Sequence, residues 1–197
     1  MTHEYEARIC IISGPSGAGK TTIYKRLLEE FAWLRLSVSV TTRARRSHEI
    51  DGQDYHFIDT ETFTRLQTEG AFAEHASVHG KSYGTLKSEI EKKAYPGSMC
   101  LLDIDVQGVA KLRGVYPGAL KIFIRPSDLA ALEQRLRVRS TETEETLAIR
   151  LANAKRELEE EHLFDYSIIN DDLETAYAQV RAILLSRKGV VDNGSAL

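Results

Sequence analysis

Cysteine is scarce in this chain of 197 residues: there are two, Cys10 and Cys100. Each sits in an apolar, strand-like run, and neither has partners at a metal-ligand spacing, so no disulfide framework or zinc site is expected. Two buried, reduced thiols of a cytoplasmic protein are the expectation, with one disulfide as the lesser alternative. An excess of charge of one sign is also missing. The 26 Lys and Arg against 29 Asp and Glu leave a net charge of −3. That balance favours neither nucleic acid nor a membrane surface as a partner, so any basic cluster must serve a local purpose. No apolar run approaches the roughly 20 residues that span a bilayer. The polar start, residues 1–8, lacks the apolar stretch of a signal peptide. Repeats, low-complexity segments and an unusual apolar stripe that would speak to an oligomeric state are absent as well. The 42% hydrophobic content suffices for a core, and the 28% charged residues are mixed along the chain, which argues for one folded domain with inserted lobes.

The most informative stretch is Gly14-Pro15-Ser16-Gly17-Ala18-Gly19-Lys20-Thr21, followed by Thr22. It has the form of a P-loop, a glycine-rich turn closed by Lys and Ser/Thr. Its setting supports the match: an apolar run, residues 8–13, leads into it and an amphipathic helix follows. Gly14, Gly17 and Gly19 can adopt φ > 0 and let the main chain come close to a ligand. Successive N–H groups then form a concavity for anions, to which the helix N-terminus adds its own amides and dipole. Lys20 brings a point charge to the terminal phosphates, and Thr21 offers a hydroxyl to Mg²⁺.

Strand and helix patterns alternate, which predicts an α/β fold with a mostly parallel sheet in a three-layer P-loop core. Core strands are expected near 9–13, 34–39, 98–103, 120–124 and 166–169. Core helices are expected near 20–30, 106–113 and 173–186. Leu173, Ala176, Tyr177, Val180, Ile183 and Leu184 mark one face of the last. Two stretches break the rhythm. Residues 39–95 carry short alternating segments punctuated by glycine, which suggests an inserted small lobe rich in antiparallel strands. Residues 126–161 read as helix, turn, helix. Ser127 can cap the first helix, with Leu129, Leu132 and Leu136 facing inward, and Thr141 with Glu144 fits a capping box for the second. The charged second helix suits either a mobile lid or a solvated surface hairpin. The core is thus assigned to 1–38, 96–125 and 162–188, with a frayed, flexible tail at 189–197.

Three further features point to phosphate chemistry. The apolar run 98–102 ends in Asp103-Ile104-Asp105, and an acid at the carboxyl end of a parallel strand can hold Mg²⁺ beside phosphates. Arginines gather in two places: Arg43, Arg45 and Arg46 after the second strand, and Arg135, Arg137, Arg139 and Arg150 in the helical insert. Such forks bind phosphate oxygens in pairs, although solvated surface charge is the ordinary alternative for any one of them. If the acceptor of the phosphoryl group is itself a phosphate, no general base is needed. The inserted lobe also carries Ser39, Tyr55, Tyr83, Thr85 and Glu74. A buried Glu74 could accept hydrogen bonds from guanine N1 and N2, a pair that adenine cannot supply. Alternation along its strand leaves the outward-facing orientation equally open.

The chain resembles the guanylate kinases from residue 9 to about 186. The resemblance rests on the P-loop, Ser37-Val38-Ser39-Val40-Thr41-Thr42-Arg43, Asp51-Gly52-Gln53-Asp54-Tyr55-His56-Phe57, Tyr83-Gly84-Thr85, Leu102-Asp103-Ile104-Asp105-Val106-Gln107-Gly108 and Ile169-Asn170-Asp171-Asp172-Leu173. It implies ATP-dependent phosphorylation of GMP with Mg²⁺, on a core, a GMP-binding lobe and a lid. It further implies that Ser39, Glu74, Thr85 and Asp105 contact guanine, alongside Gly84. Arg43, Arg46, Tyr55 and Tyr83 would hold the GMP phosphate, and Asp103 would lie near the metal. Arg139 and Arg150 would reach the transferring group from the lid, and Asn170 would touch adenine. Arg45, Leu86 and Ser140 stand where the family commonly has proline, proline and glycine. Phosphopeptide-binding scaffolds share the fold but typically have a degraded P-loop, whereas Gly19, Lys20 and Thr21 are intact here. A kinase for another small phosphorylated acceptor is a second alternative. A GTPase is disfavoured, because no Asn-Lys-x-Asp segment is present.

Overall fold

Residues 6–78, 80–138 and 144–192 are described by the computed structural model. Strand β1 (Ile9–Ser13) is buried along its whole length, on both faces, and that dictates layers. Cys10 and Ile12 point to one side, where helices α1 (Lys20–Glu30) and α7 (Leu173–Asp192) supply Ile23, Leu27, Ala176, Val180 and Leu184. Ile9 and Ile11 point to the other, where α3 (Lys87–Lys93) and α4 (Val106–Val115) supply Ile90, Val109 and Leu112. Between these layers lies a five-stranded sheet with β2 (Leu34–Leu36), β7 (Met99–Asp103), β8 (Leu120–Arg125) and β9 (Tyr166–Ile169), in the order β2-β7-β1-β8-β9. Every pairing in it is parallel. Cys10 and Cys100 are both buried and free, the former among the α1/α7 layer and the latter among the α3/α4 layer.

A second sheet of four strands lies beyond this core. Its order is β4-β3-β6-β5, from β3 (Val40–Thr41), β4 (His56–Phe57), β5 (Phe72–Val78) and β6 (Lys81–Leu86). β3–β6 and β5–β6 are antiparallel, whereas β3–β4 is parallel, so the sheet is mixed. Helix α2 (Thr60–Thr68) begins at an Asp59 cap that accepts from Thr62 N, and it lays Phe63 on Phe72 and Val40. One irregularity in this sheet matters for the site. Phe72 pairs with Leu86 but Glu74 pairs with Thr85, so an extra residue bulges out between them.

The remaining pair, α5 (Leu129–Val138) and α6 (Glu144–Glu159), forms a hairpin with its own small core of Leu132, Leu136, Leu147 and Ala154. The cap of α5 is Asp128 and not Ser127. The Asp128 carboxylate accepts from Ala131 N at 2.7 Å, while Ser127 N turns away to Asp171 Oδ1. The shorter reach from position 128 to the third helical amide decides between these two cap formers. The capping box proposed for α6 depends on Thr141, which lies outside the described residues. Helix α7 runs to Asp192, six residues past its expected end at 186, so the expected tail does not begin at 189. One glycine costs a helix only about 1 kcal/mol, and no proline interrupts the turns that follow.

Candidate active site

A cavity of about 350 Å³ opens where β1 and β7 end and the small sheet begins. The end of a parallel strand next to its neighbour is where α/β folds place ligands. Ile12 pairs with Asp103, so the P-loop and the acid leave adjacent strands at the same level. The P-loop forms one wall. Gly14, Gly17 and Gly19 have φ of 139°, 93° and 88°. A side chain on Gly14 would collide with the Ile124 carbonyl oxygen, and one on Gly19 would collide with Asn170. Helix α1 has no side-chain cap and no acid in its first turn, so its amide donors stay available to an anion. Lys20 Nζ donates to the carbonyl oxygens of Gly14 at 2.5 Å and Pro15 at 3.1 Å. Of the other loop residues, Ser16 and Thr21 line the cavity, Pro15 and Ala18 are buried beneath it, and Thr22 faces the next cleft.

Asp103 and Thr21 line the same cavity. Burial pushes the Asp103 carboxyl up, against the pull of the Lys20 charge and a hydrogen bond with Tyr24. A carboxylate and a hydroxyl are hard oxygen donors, and among the described residues no group of three or more acids, His or Cys is placed to enclose a metal. That donor set fits Mg²⁺, which keeps waters and takes further ligands from phosphates.

The opposite wall belongs to the small sheet and α4. Glu74 is only 6% exposed, so it faces inward. The bulge before it turns the side chain off the simple alternation. Thr85 Oγ1 donates to Glu74 Oε1 at 2.8 Å. The other oxygen lies over Gly108, where an added Cβ would come within 2.9 Å of it. Asp105 caps α4 by accepting from Gly108 N at 2.7 Å. Burial, reinforced by the Asp105 charge and opposed by the Thr85 hydrogen bond, pushes the Glu74 carboxyl up to about 7. Ser39, Tyr55, Tyr83 and Gly84 complete this wall, with the two tyrosine rings edge to face at 6.0 Å. Burial and the nearby Asp103 raise the Tyr55 hydroxyl to about 12, so it is a neutral donor.

Not every expected residue reaches the cavity. Thr85 is fully buried behind Glu74 and acts on the cavity through it. Arg43 and Arg46 lie outside the described lining, and Arg43 is paired with Glu49. Arg150 is half-buried on α6, away from that lining, and Arg139 falls outside the described residues. Asn170 lines a second cleft across the P-loop, with Thr22, Gln134, Arg135 and Asp171. There its side chain donates to the Ala18 carbonyl at 2.7 Å, and its main-chain carbonyl accepts from Arg135 Nη2 at 2.6 Å. Asn170 thus props the loop from below. Asn170→Ala should leave a buried carbonyl unpaired and cost about 1–3 kcal/mol, read as a lower urea midpoint with an unchanged slope.

Two acids in this region escaped the sequence reading. Glu157 of α6 lines the cavity, and its carboxyl is raised to about 7 by burial, with Lys20 opposing and Asp105 adding to the shift. Glu49 organises the arginine loop.

The family described as guanylate kinase matches residues 6–187. The chain belongs to the guanylate kinase family. A guanylate kinase of Oleidesulfovibrio alaskensis is 49% identical over 178 residues, covering 90% of this chain and 86% of that one. The crystal structure of guanylate kinase from Anaplasma phagocytophilum superposes with a TM-score of 0.74 at 34% identity, covering 91% and 85% of the two chains. The SH3-kinase fragment of tight junction protein 3 superposes with a TM-score of 0.50 at 15% identity, over 92% of this chain and 58% of that one, a likeness of fold alone. As a guanylate kinase family member, this chain keeps every P-loop residue that the anion concavity requires.

Proposed function

We propose that the protein transfers the γ-phosphoryl group of ATP to the phosphate of GMP, giving ADP and GDP. One observation carries the reading: a single cavity joins an uncapped P-loop helix to a buried carboxylate on a separate sheet. Main-chain amides of the loop from Gly14 to Thr22, Pro15 excepted, and the Lys20 ammonium hold the donor's phosphates, and the cleft beside Asn170 takes the adenine. Glu74, with Asp105 and Ser39, accepts from guanine, and Thr85 keeps Glu74 aimed. Arg43, Arg46, Tyr55 and Tyr83 receive the acceptor's phosphate. An ionised oxygen of that phosphate bonds to the γ-phosphorus as the bridge to the β-phosphate breaks, and ADP carries away the electron pair. No proton needs to be abstracted, so positioning and charge cancellation are the whole task. Mg²⁺ bound beside Thr21 and Asp103 would neutralise charge on the donor's phosphates. The α5–α6 hairpin, residues 126–161, acts as the lid over the core, and residues 39–95 act as the GMP lobe. Lid closure carries Arg139 and Arg150 to the transferring group and excludes water.

No described helix is long and apolar enough to cross a membrane. The two buried free thiols suit a reducing compartment, and we place the protein in the cytoplasm. Product analysis with ATP, Mg²⁺ and each nucleoside monophosphate in turn tests the function. GDP should form from GMP at a rate at least a hundredfold above the product from AMP, CMP or UMP, given the unpaired polar groups that a wrong base leaves. Equal rates with AMP and GMP would overturn it.

A further inference from the structure

The loop after β3 is polar and open to solvent from Ala44 to His48, yet Glu49 within it is only 6% exposed. Its burial has a specific cause. Arg43 Nη2 and Nη1 donate to the two carboxylate oxygens at 2.6 and 3.0 Å, a bidentate pair. Arg46 N donates to Oε2 at 2.8 Å, and its guanidinium lies 4.0 Å from Oε1. Arg45 donates Nη1 to the Glu49 carbonyl oxygen at 2.6 Å. Arg43 Nη1 also donates to Ala44 O, and the guanidinium sits 5.5 Å from the Tyr55 ring centre. The Glu49 carboxylate therefore gathers Arg43 and Arg46, and its main-chain carbonyl holds Arg45.

The physical consequence concerns the acceptor's phosphate. Two guanidinium groups converging on one phosphate repel each other before it arrives, and each long side chain has rotamer entropy to lose. A buried carboxylate fixes the plane of Arg43 and the main chain of Arg46 in advance. Three cations and one anion leave the loop at +2, matched to a phosphate monoester of about −1.5 to −2. We propose that Glu49 is a positioning residue that holds Arg43 and Arg46 ready for the phosphate of the acceptor nucleotide. The proposal rests on the functional reading above and adds a residue that touches neither substrate. The hold is electrostatic throughout the working range, because Arg43 and the Arg46 amide keep the Glu49 carboxyl down at about 2.

Steady-state kinetics on two variants test it, each with thermal unfolding as a check on folding. Glu49→Gln keeps the shape and removes the charge, and Glu49→Asp keeps the charge but withdraws it by one methylene. In both, KM for GMP should rise about tenfold or more, with KM for ATP within twofold of the parent. A KM for GMP that stays within twofold or falls overturns the proposal, the latter marking Glu49 as a competitor of the phosphate. Equal rises for both substrates, or loss of a cooperative melt in both variants, also overturn it, since each marks a general structural role. Parent protein that does not phosphorylate GMP would instead refute the functional reading, so the two failures are separable.

Discussion

Lys20→Ala is expected to lower kcat by about two to three orders of magnitude, the range for removing one preorganised charge-stabilising donor, while the fold survives. Lys20 is the first residue of α1, a position where alanine is a good helix former. Its side chain contributes no core packing. It spans the P-loop, donating to Gly14 and Pro15 carbonyls, and its charge sits beside Asp103 and Glu157. Those two loop bonds are exchanged for a phosphate when the donor binds, so the ammonium is delivered to developing charge from a pre-set position. In Lys20→Ala two acids lose the Lys20 charge that opposes them, and donor phosphates would meet Glu157 with no side-chain cation between them. A coupled assay reads kcat, and a melting temperature within a few degrees of the parent separates the chemical effect from unfolding. Turnover within tenfold of the parent would remove Lys20, and the P-loop reading with it, from the reaction.

The sequence was most legible where one signal decides structure and chemistry together. The P-loop fixed a strand, a turn with three positive-φ glycines and a helix start, and α1 and β9 occupy their predicted spans. The apolar runs of β1 and β7 were equally clear, because burial on both faces leaves little that is polar to confuse them, whereas β2 ends at Leu36, three residues short of its expected span. Legibility fell where a local irregularity governs. Glu74 could not be oriented from alternation, since the bulge between Phe72 and Glu74 shifts the count by one. Gly108 belonged to a recognised segment without a reason, and the reason is a carboxylate arriving from another sheet. Glu49 and Glu157 sit in charged stretches where every acid looks solvated. Only the fold shows that one is enclosed by three arginines and the other lines the cavity. Thr85 was expected on the base, whereas its side chain is fully buried and its hydroxyl donates to Glu74.

Glu74→Gln is expected to reduce kcat/KM for GMP at least a hundredfold and to leave KM for ATP within twofold. A carboxylate offers acceptors to both guanine N1–H and N2–H, each charge-assisted bond contributing about 1.5–3 kcal/mol. The amide keeps one acceptor and sets its NH₂ against a guanine donor, so one bond is lost and a repulsion replaces it. The pH dependence is a second signature. Burial holds the empty-site carboxyl at about 7, and guanine's donors favour the ionised form. KM for GMP should therefore climb as pH falls below about 7, approaching tenfold per pH unit, and this slope should vanish in Glu74→Gln. The sign for stability is the reverse. A folded pKa above the unfolded carboxylate value stabilises the empty protein fully below about 4.3, and that contribution disappears as pH rises through about 7. Ligand-free Glu74→Gln should therefore melt above the parent at pH 8, by an amount that shrinks toward pH 5. The parent thus holds a charge in a poorly solvated place because guanine supplies its partners. Equal losses for GMP and ATP, or a pH slope that persists in the variant, would show that Glu74 does not read the base.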